Sequence, residues 1–402
     1  MNEARPIPAA TSASGEPQRS RVSLLWLILP LAVLAAAVAW FVATDPLRGF
    51  SNGAPPVENL TFERTVLSAD GIDVRVRAGG SEPMTIAQVL VDDAYWEFTQ
   101  TPTGALARGE SAWIRLPYPW VTGEAHAVKV ITNTGATFEH EISVAVATPV
   151  PTAGSLVRQA IVGAFVGILP VAVGLMFYPV LRGVGRGGMN FLLAMTVGLL
   201  VFLMVDAAGE ALELAGEAAA LFQGHAMVVL AAAASFLLLM AIGRRGGTPA
   251  GLTLAAFIAL GIGLHNLGEG LAIGAAFASG SAGLGTFLVL GFTLHNVTEG
   301  IGIAAPMLKA RPPLWAFPAL TLLAGGPAVL GLWVGSLAHA PQWSALALAI
   351  GAGAILQVVV EVTLYLMKSD GRGVAALSSW PVLSGAAFGV VFMYATAMLV
   401  KI

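Results

Sequence analysis

From Ser155 to its end the chain is a succession of apolar stretches, at about 156–181, 188–213, 224–243, 251–278, 283–308, 314–338, 343–367 and 380–400. Each is long enough to cross the ~30 Å hydrocarbon core of a bilayer as a helix. A ninth run, 22–44, lies near the beginning. In hydrocarbon every backbone N–H and C=O must find its partner within the chain, so runs of this kind fold as helices. Composition agrees. Asp, Glu, Lys and Arg make up 11% of the 402 residues against 56% hydrophobic, whereas a soluble domain carries about 25% charged residues. A wholly soluble protein is therefore excluded. The net charge of −3 excludes a strongly basic nucleic-acid binder. The absence of Cys excludes a disulfide framework, a thiolate metal site and a catalytic cysteine.

Residues 1–21 are polar and rich in Pro, Ser and Ala, the composition of a disordered tail. The run 22–44 is longer than the ~7–15 residues of a signal-peptide core, so an uncleaved transmembrane anchor is expected. Residues 50–150 change character. Charges concentrate there and the apolar period becomes 2, as in Ile72-Asp73-Val74-Arg75-Val76-Arg77, Ala127–Val130 and Phe138–Val144. Asp70-Gly71, Gly79-Gly80, Thr103-Gly104 and Asn133-Thr134-Gly135 supply turns between the strands. Short alternating strands with regular turns predict an all-β, sandwich-like domain. Its two histidines, His126 and His140, read as surface or strand-face residues. The fold class expected is an α-helical polytopic membrane protein with an inserted all-β extracytoplasmic domain.

The loops give the orientation. Arg182 and Arg186, Arg244 and Arg245, Lys309 and Arg311, and Lys368 and Arg372 occupy alternate loops of the eight-span region. The intervening loops, around Glu213–His225, Ser279–Leu284 and His339–Gln342, contain neither Lys nor Arg. Basic residues in short loops mark the cytoplasmic side. The N-terminal tail is then cytoplasmic, and the β domain and C-terminus extracytoplasmic, in a membrane of the bacterial inner type. Lys401, at the outer end, is long enough to snorkel.

Ionisable groups in the middle of a membrane helix are expensive and mark function by default. Here they are few. Asp206 and Glu210 lie in the second of the eight stretches, and Gln357 and Glu361 in the seventh. The fourth and fifth carry the same word at matched depth: Leu264-His265-Asn266-Leu267-Gly268-Glu269-Gly270 and Leu294-His295-Asn296-Val297-Thr298-Glu299-Gly300. In each word His and Glu are four apart and share a helix face, with Asn beside them. Two such helices facing one another offer two imidazoles, two carboxylates and two amides to one point. A divalent cation would offset the charge of the two carboxylates, and imidazole suits Zn, Fe, Ni or Cu. The competing readings are an interhelical hydrogen-bond network, a heme site and an intramembrane protease. The paired Glu residues fit heme poorly. Neither helix carries the His-Glu-x-x-His of a zinc protease.

With these words in view, residues 155–402 resemble the ZIP family of divalent-metal transporters. That family carries His-Asn-x-Pro-Glu-Gly in its fourth helix and a similar word in its fifth. Leu271-Ala272-Ile273-Gly274-Ala275-Ala276-Phe277 after the first word is also similar. The resemblance implies that His265, Glu269, His295 and Glu299 bind a metal, with Asn266 and Asn296 lining an adjoining position. Three features depart from the pattern. The Pro of each word is replaced, by Gly268 and Thr298. The stretch Ala324-Gly325-Gly326-Pro327 carries no carboxylate in the sixth helix, which favours one metal over two. Arg244–Ala250 stands where a long His-rich loop is usual.

The expectation is transport of a divalent cation into the cytoplasm by alternating access. Zn²⁺ leads, with Fe²⁺, Mn²⁺ and Co²⁺ open; no prosthetic group and no covalent chemistry are implied. Asp206, Glu210, Gln357 and Glu361 are weaker transport-path candidates, and Glu213, Glu217 and His225 form an acidic outer loop. Gly270, Gly274, Ala276, Gly291, Gly300, Gly302 and Ala304 allow close helix packing. Expected partners are the metal, the lipid bilayer and a second copy in a homodimer, with no nucleic acid. The rival reading is a membrane metal sensor or scaffold whose β domain binds a partner.

Overall fold

The computed structural model describes residues 24–44, 56–148, 150, 152–245, 247, 249–278, 282–309, 311–337, 340–369, 371 and 373–400. The tail 1–21, His339, Arg372 and Lys401 lie outside the described residues. The chain divides into two compact units, Met1–Pro55 and Pro56–Ile402. In the first, α1 (Leu24–Thr44) is a 21-residue helix, inside the expected run.

The second unit begins with the β domain. Its strands are β1 (Leu60–Ser68), β2 (Gly71–Ala78), β3 (Ile86–Val91), β4 (Ala94–Trp96), β5 (Thr99–Thr101), β6 (Ser111–Leu116), β7 (His126–Thr132) and β8 (Thr137–Ile142). They form two antiparallel four-stranded sheets, ordered β1-β2-β6-β5 and β4-β3-β7-β8. The period-2 pattern fixes which face is buried. Ile72, Val74 and Val76 of β2 join Ile114 and Leu116 of β6 and Val89, Val91, Val128 and Val130 of the other sheet in one core. Asp73, Arg75 and Arg77 point the other way and stay partly exposed. The β1–β2 turn needs glycine at position 71. Its φ is +133°, and a Cβ there would lie 2.0 Å from the Leu116 carbonyl oxygen.

The bundle comprises α2 (Ala153–Gly163), a π-helical turn (Ala164–Ile168), α3 (Leu169–Met176), α4 (Tyr178–Leu181), α5 (Arg186–Glu217), α6 (Gly224–Gly243), α7 (Gly251–Ala278), α8 (Ala282–Ala304), α9 (Ala316–Leu337), α10 (Pro341–Ser369) and α11 (Trp380–Val400). The pieces from Ala153 to Leu181 form one span, and eight spans among the described residues are long and apolar enough to cross a membrane. The chain is thus a membrane-embedded helical protein with a small two-sheet β region. One expectation is corrected. Glu213 and Glu217 are not in a loop but on the last turns of α5, which runs to Glu217. The alanine-rich stretch there continues the helix, and the turn to α6 falls at 218–223.

The β domain is docked on the bundle through a β-bulge. The β1–β2 register slips between Phe62 and Arg64, and the extra residue, Glu63, turns inward. Its carboxylate accepts from Arg77 (Nε–Oε1 2.5 Å, Nη2–Oε2 3.2 Å) and from Gln342 Nε2 of α10 (3.1 Å). Next to it, Arg64 Nη1 donates to the carbonyl of Leu337 at the end of α9 (2.9 Å), one of the acceptors a helix C-terminus leaves unpaired. Arg77 also lies over the Phe222 ring, 5.6 Å from its centroid.

Candidate metal centre

The two repeated words sit on neighbouring helices, α7 and α8, and close packing brings both to one place. α9 packs along α7 through reciprocal glycines. A Cβ on Gly270 would lie 2.2 Å from the Ala328 carbonyl oxygen, and one on Gly331 2.1 Å from that of Leu267. On the other side Gly300 of α8 meets Gly174 and the Val171 carbonyl of α3. The site is therefore enclosed where α7 and α8 meet α9 and α3, and Gly351 of α10 lies against His265.

The His, Asn and Glu of both words are buried, with Asn266 and Asn296 at 0% exposure. Glu269 is the hub. His295 Nε2 lies 2.7 Å and His265 Nε2 3.2 Å from Glu269 Oε1. Asn296 Nδ2 donates to Glu269 Oε2 (3.2 Å) and Asn266 Nδ2 to Glu299 Oε2 (3.4 Å), so each Asn serves the Glu of the opposite helix. His265, His295 and Glu299 each offer a ligand atom, the three within 4.8 Å of one another. Several polar atoms are left over: among the described residues nothing donates to Asn266 Oδ1, Asn296 Oδ1 or Glu299 Oε1, and His265 Nδ1 has no partner. The centre thus leaves several buried polar atoms unpaired around the group of His265, His295 and Glu299. A His/Glu group of this kind could hold a metal ion.

Two backbone groups that sequence reasoning missed hold the amides in place. Asn296 Nδ2 donates to the Val166 carbonyl and Asn266 Nδ2 to the Ala324 carbonyl, both at 3.0 Å. Val166 lies in the π-helical turn, four residues before Pro170. A proline has no N–H to return to the carbonyl four residues earlier, so the Val166 oxygen is free to accept from Asn296. The Pro170 in the first apolar stretch was the available signal. Ala324 belongs to the stretch that carries no carboxylate, and it contributes a main-chain oxygen instead.

The weaker candidates do not join this group. Asp206 and Glu210 are exposed on α5, and Glu210 lies within electrostatic range of Asp206, His265 and Glu269. On α10, Glu361 Oε1 accepts from Arg244 Nε at 2.9 Å, and Gln357 is buried with both amide atoms unpartnered among the described residues. Glu217 and His225 border a separate cavity of about 630 Å³ with Asn59 and His140, between the β domain and the α5–α6 turn. His126, read as a surface or strand-face residue, is the first residue of strand β7 and not on the surface. It is buried, with Nδ1 2.8 Å from Asp92 Oδ2. Hydrogen bonds from the Ala127 N–H, His126 and Tyr118 outweigh partial burial and hold the Asp92 carboxyl below its usual range. No protein-family model and no curated protein sequence matches this chain.

Proposed function

We propose that the protein carries a divalent transition metal, zinc foremost, across the membrane and into the cytoplasm, in the manner of the ZIP transporters that residues 155–402 resemble. The observation that carries this reading is the convergence of His265, Asn266, Glu269, His295, Asn296 and Glu299 at one buried point with acceptor atoms unpaired. Each buried polar atom without a partner costs about 1–3 kcal/mol, and a dication would satisfy several at once. His265, His295 and the two carboxylates are the ligands; the Asn amides, held by the Val166 and Ala324 carbonyls, orient the carboxylates. The exposed carboxylates Asp206 and Glu210 give the cation a route to this point from the end of α5 that faces the β domain. Backbone contacts through glycine, as between α7 and α9, let one group of helices shift against another without unpacking bulky side chains.

The test is metal uptake into proteoliposomes. The wild type is expected to take up Zn²⁺ down its gradient, with Fe²⁺, Mn²⁺ and Co²⁺ ranked beside it. Glu269→Ala with Glu299→Ala is expected to abolish uptake while the protein remains folded. Stoichiometric binding with no flux under any gradient would overturn transport in favour of a metal sensor.

A further inference from the structure

We propose that the groove between α3–α4 and the start of α9 is a binding site for an anionic phospholipid, its phosphate held between Arg182 and Arg311 and an acyl chain laid along the apolar wall. The inference rests on the chain being membrane-embedded and not on transport.

The groove is a cavity of about 1370 Å³. Ile168, Ala172, Met176, Pro179 and Leu322 form its length, and Arg182 and Arg311 stand at one end. From Ile168 to Arg182 is fourteen residues, roughly 20 Å at helical rise, against ~15 Å for half the hydrocarbon core. The cations thus lie at headgroup depth when the apolar wall lies at acyl depth. Tyr178 and Phe317 meet edge to face, 5.1 Å between centroids, and join the two sides. Arg182 lies over the Tyr178 ring, 6.0 Å from its centroid. Both arginines are exposed, and among the described residues neither pairs with a carboxylate. The stretches that carry them hold no carboxylate: no Asp or Glu occurs between Ser155 and Val205 or between Gly300 and Val360. Two unneutralised guanidiniums over an apolar trough match a ligand with its anionic charge at one end and its chain along the other. Basic pockets between membrane helices recognise anionic headgroups in this way, and arginine binds phosphate oxygens bidentately. A second copy of this chain would set like charges against like at the same end, so the lipid is the occupant the charges favour.

The experiment uses the full chain in nanodiscs and native mass spectrometry. Phosphatidylglycerol and phosphatidylcholine of identical chains compete for retention. The wild type is expected to prefer phosphatidylglycerol by about tenfold, and Arg182→Gln with Arg311→Gln to lose that preference. Arg186→Gln with Arg245→Gln removes equal charge outside the groove, at the start of α5 and after α6, and is expected to keep it. Equal retention of both lipids by the wild type, or equal losses in the two double variants, would overturn the proposal. So would displacement of the lipid by inorganic phosphate alone. The chain has no Cys, so Met176→Cys is a unique thiol in the groove. A disulfide between copies at that position in the bilayer would assign the groove to a dimer and overturn the lipid site.

Discussion

Glu361 is 1% exposed, and the charge that steadies it comes from 117 residues away, from Arg244 at the C-terminal end of α6. A buried carboxylate deprived of its counter-charge is among the more damaging single changes available to a folded chain. Arg244→Ala is therefore expected to lower stability by about 3 kcal/mol, the lower end of that cost, because the guanidinium is partly exposed. Glu361→Gln in the same background is expected to recover most of the loss. Thermal unfolding of the two variants and the wild type in one detergent checks both statements; equal melting temperatures would show the pair to be idle. The sequence marks Glu361 as anomalous because a carboxylate inside an apolar run has no cheap explanation. It does not mark Arg244 as the partner, since a basic residue at a helix end already has a sufficient role in orientation. The central residues were legible for the same reason as Glu361, and their repetition named both helices. What could not be read was that Glu269 alone would bridge both histidines while Glu299 kept an unpaired oxygen. That asymmetry comes from side-chain conformations on two similar words, and the words themselves are symmetric.

At the level of helices, the spans were readable to within a few residues because hydropathy, length and loop charge are tied to the bilayer. Their internal irregularities were not. The π-helical turn at 164–168 and the short α4 interrupt a stretch whose composition is uniformly apolar, and only Pro170 and Pro179 betray them. Close packing was anticipated from small residues on α7 and α8, but the matching glycines of α9 went unassigned. Gly331 shows what they do. A methyl group there would lie 2.1 Å from the carbonyl oxygen of Leu267, which stands between His265 and Glu269 on α7, and main chain cannot rotate away. Gly331→Ala is expected to cost about 1–3 kcal/mol by overpacking and to weaken Zn²⁺ binding measured by calorimetry, because α7 carries three of the site residues. Gly326, on the same helix, has nothing within 4 Å of its would-be Cβ. Gly326→Ala is expected to leave binding unchanged and stability unchanged or raised by up to about 1 kcal/mol, from helix propensity alone. A matched loss in both variants would show that helix composition and not the close approach was at work.

For the molecule as a whole, the informative junction is that between the β domain and the bundle. The alternating strands announced a sandwich, yet nothing in a period-2 pattern says which edge meets what. The bulge between Phe62 and Arg64 is what turns Glu63 toward Gln342. The same docked face carries His140, whose ring stacks on Phe62 at 5.1 Å and whose Nε2 lies 3.0 Å from Thr65 Oγ1. Burial holds this imidazole below its ordinary value of 6.5. The sign follows from linkage. Above pH 6.5 the group is neutral in both folded and unfolded chains, and its contribution to stability is fully present. As the pH falls below 6.5 the unfolded chain takes up the proton first, so stability is lost progressively, until the pH passes the lowered folded value and the loss ceases. The docked edge of the β domain is therefore expected to loosen between pH 7.5 and 5.5, read as faster amide exchange in residues 60–68 and 137–142 of the full chain, relative to the intrinsic rate at each pH. His140→Gln removes the titrating group and keeps a side chain able to bond Thr65, so its protection in these segments is expected to change less over the same range. An undiminished pH response in the variant would place the sensitivity elsewhere in the junction and remove His140 from this account.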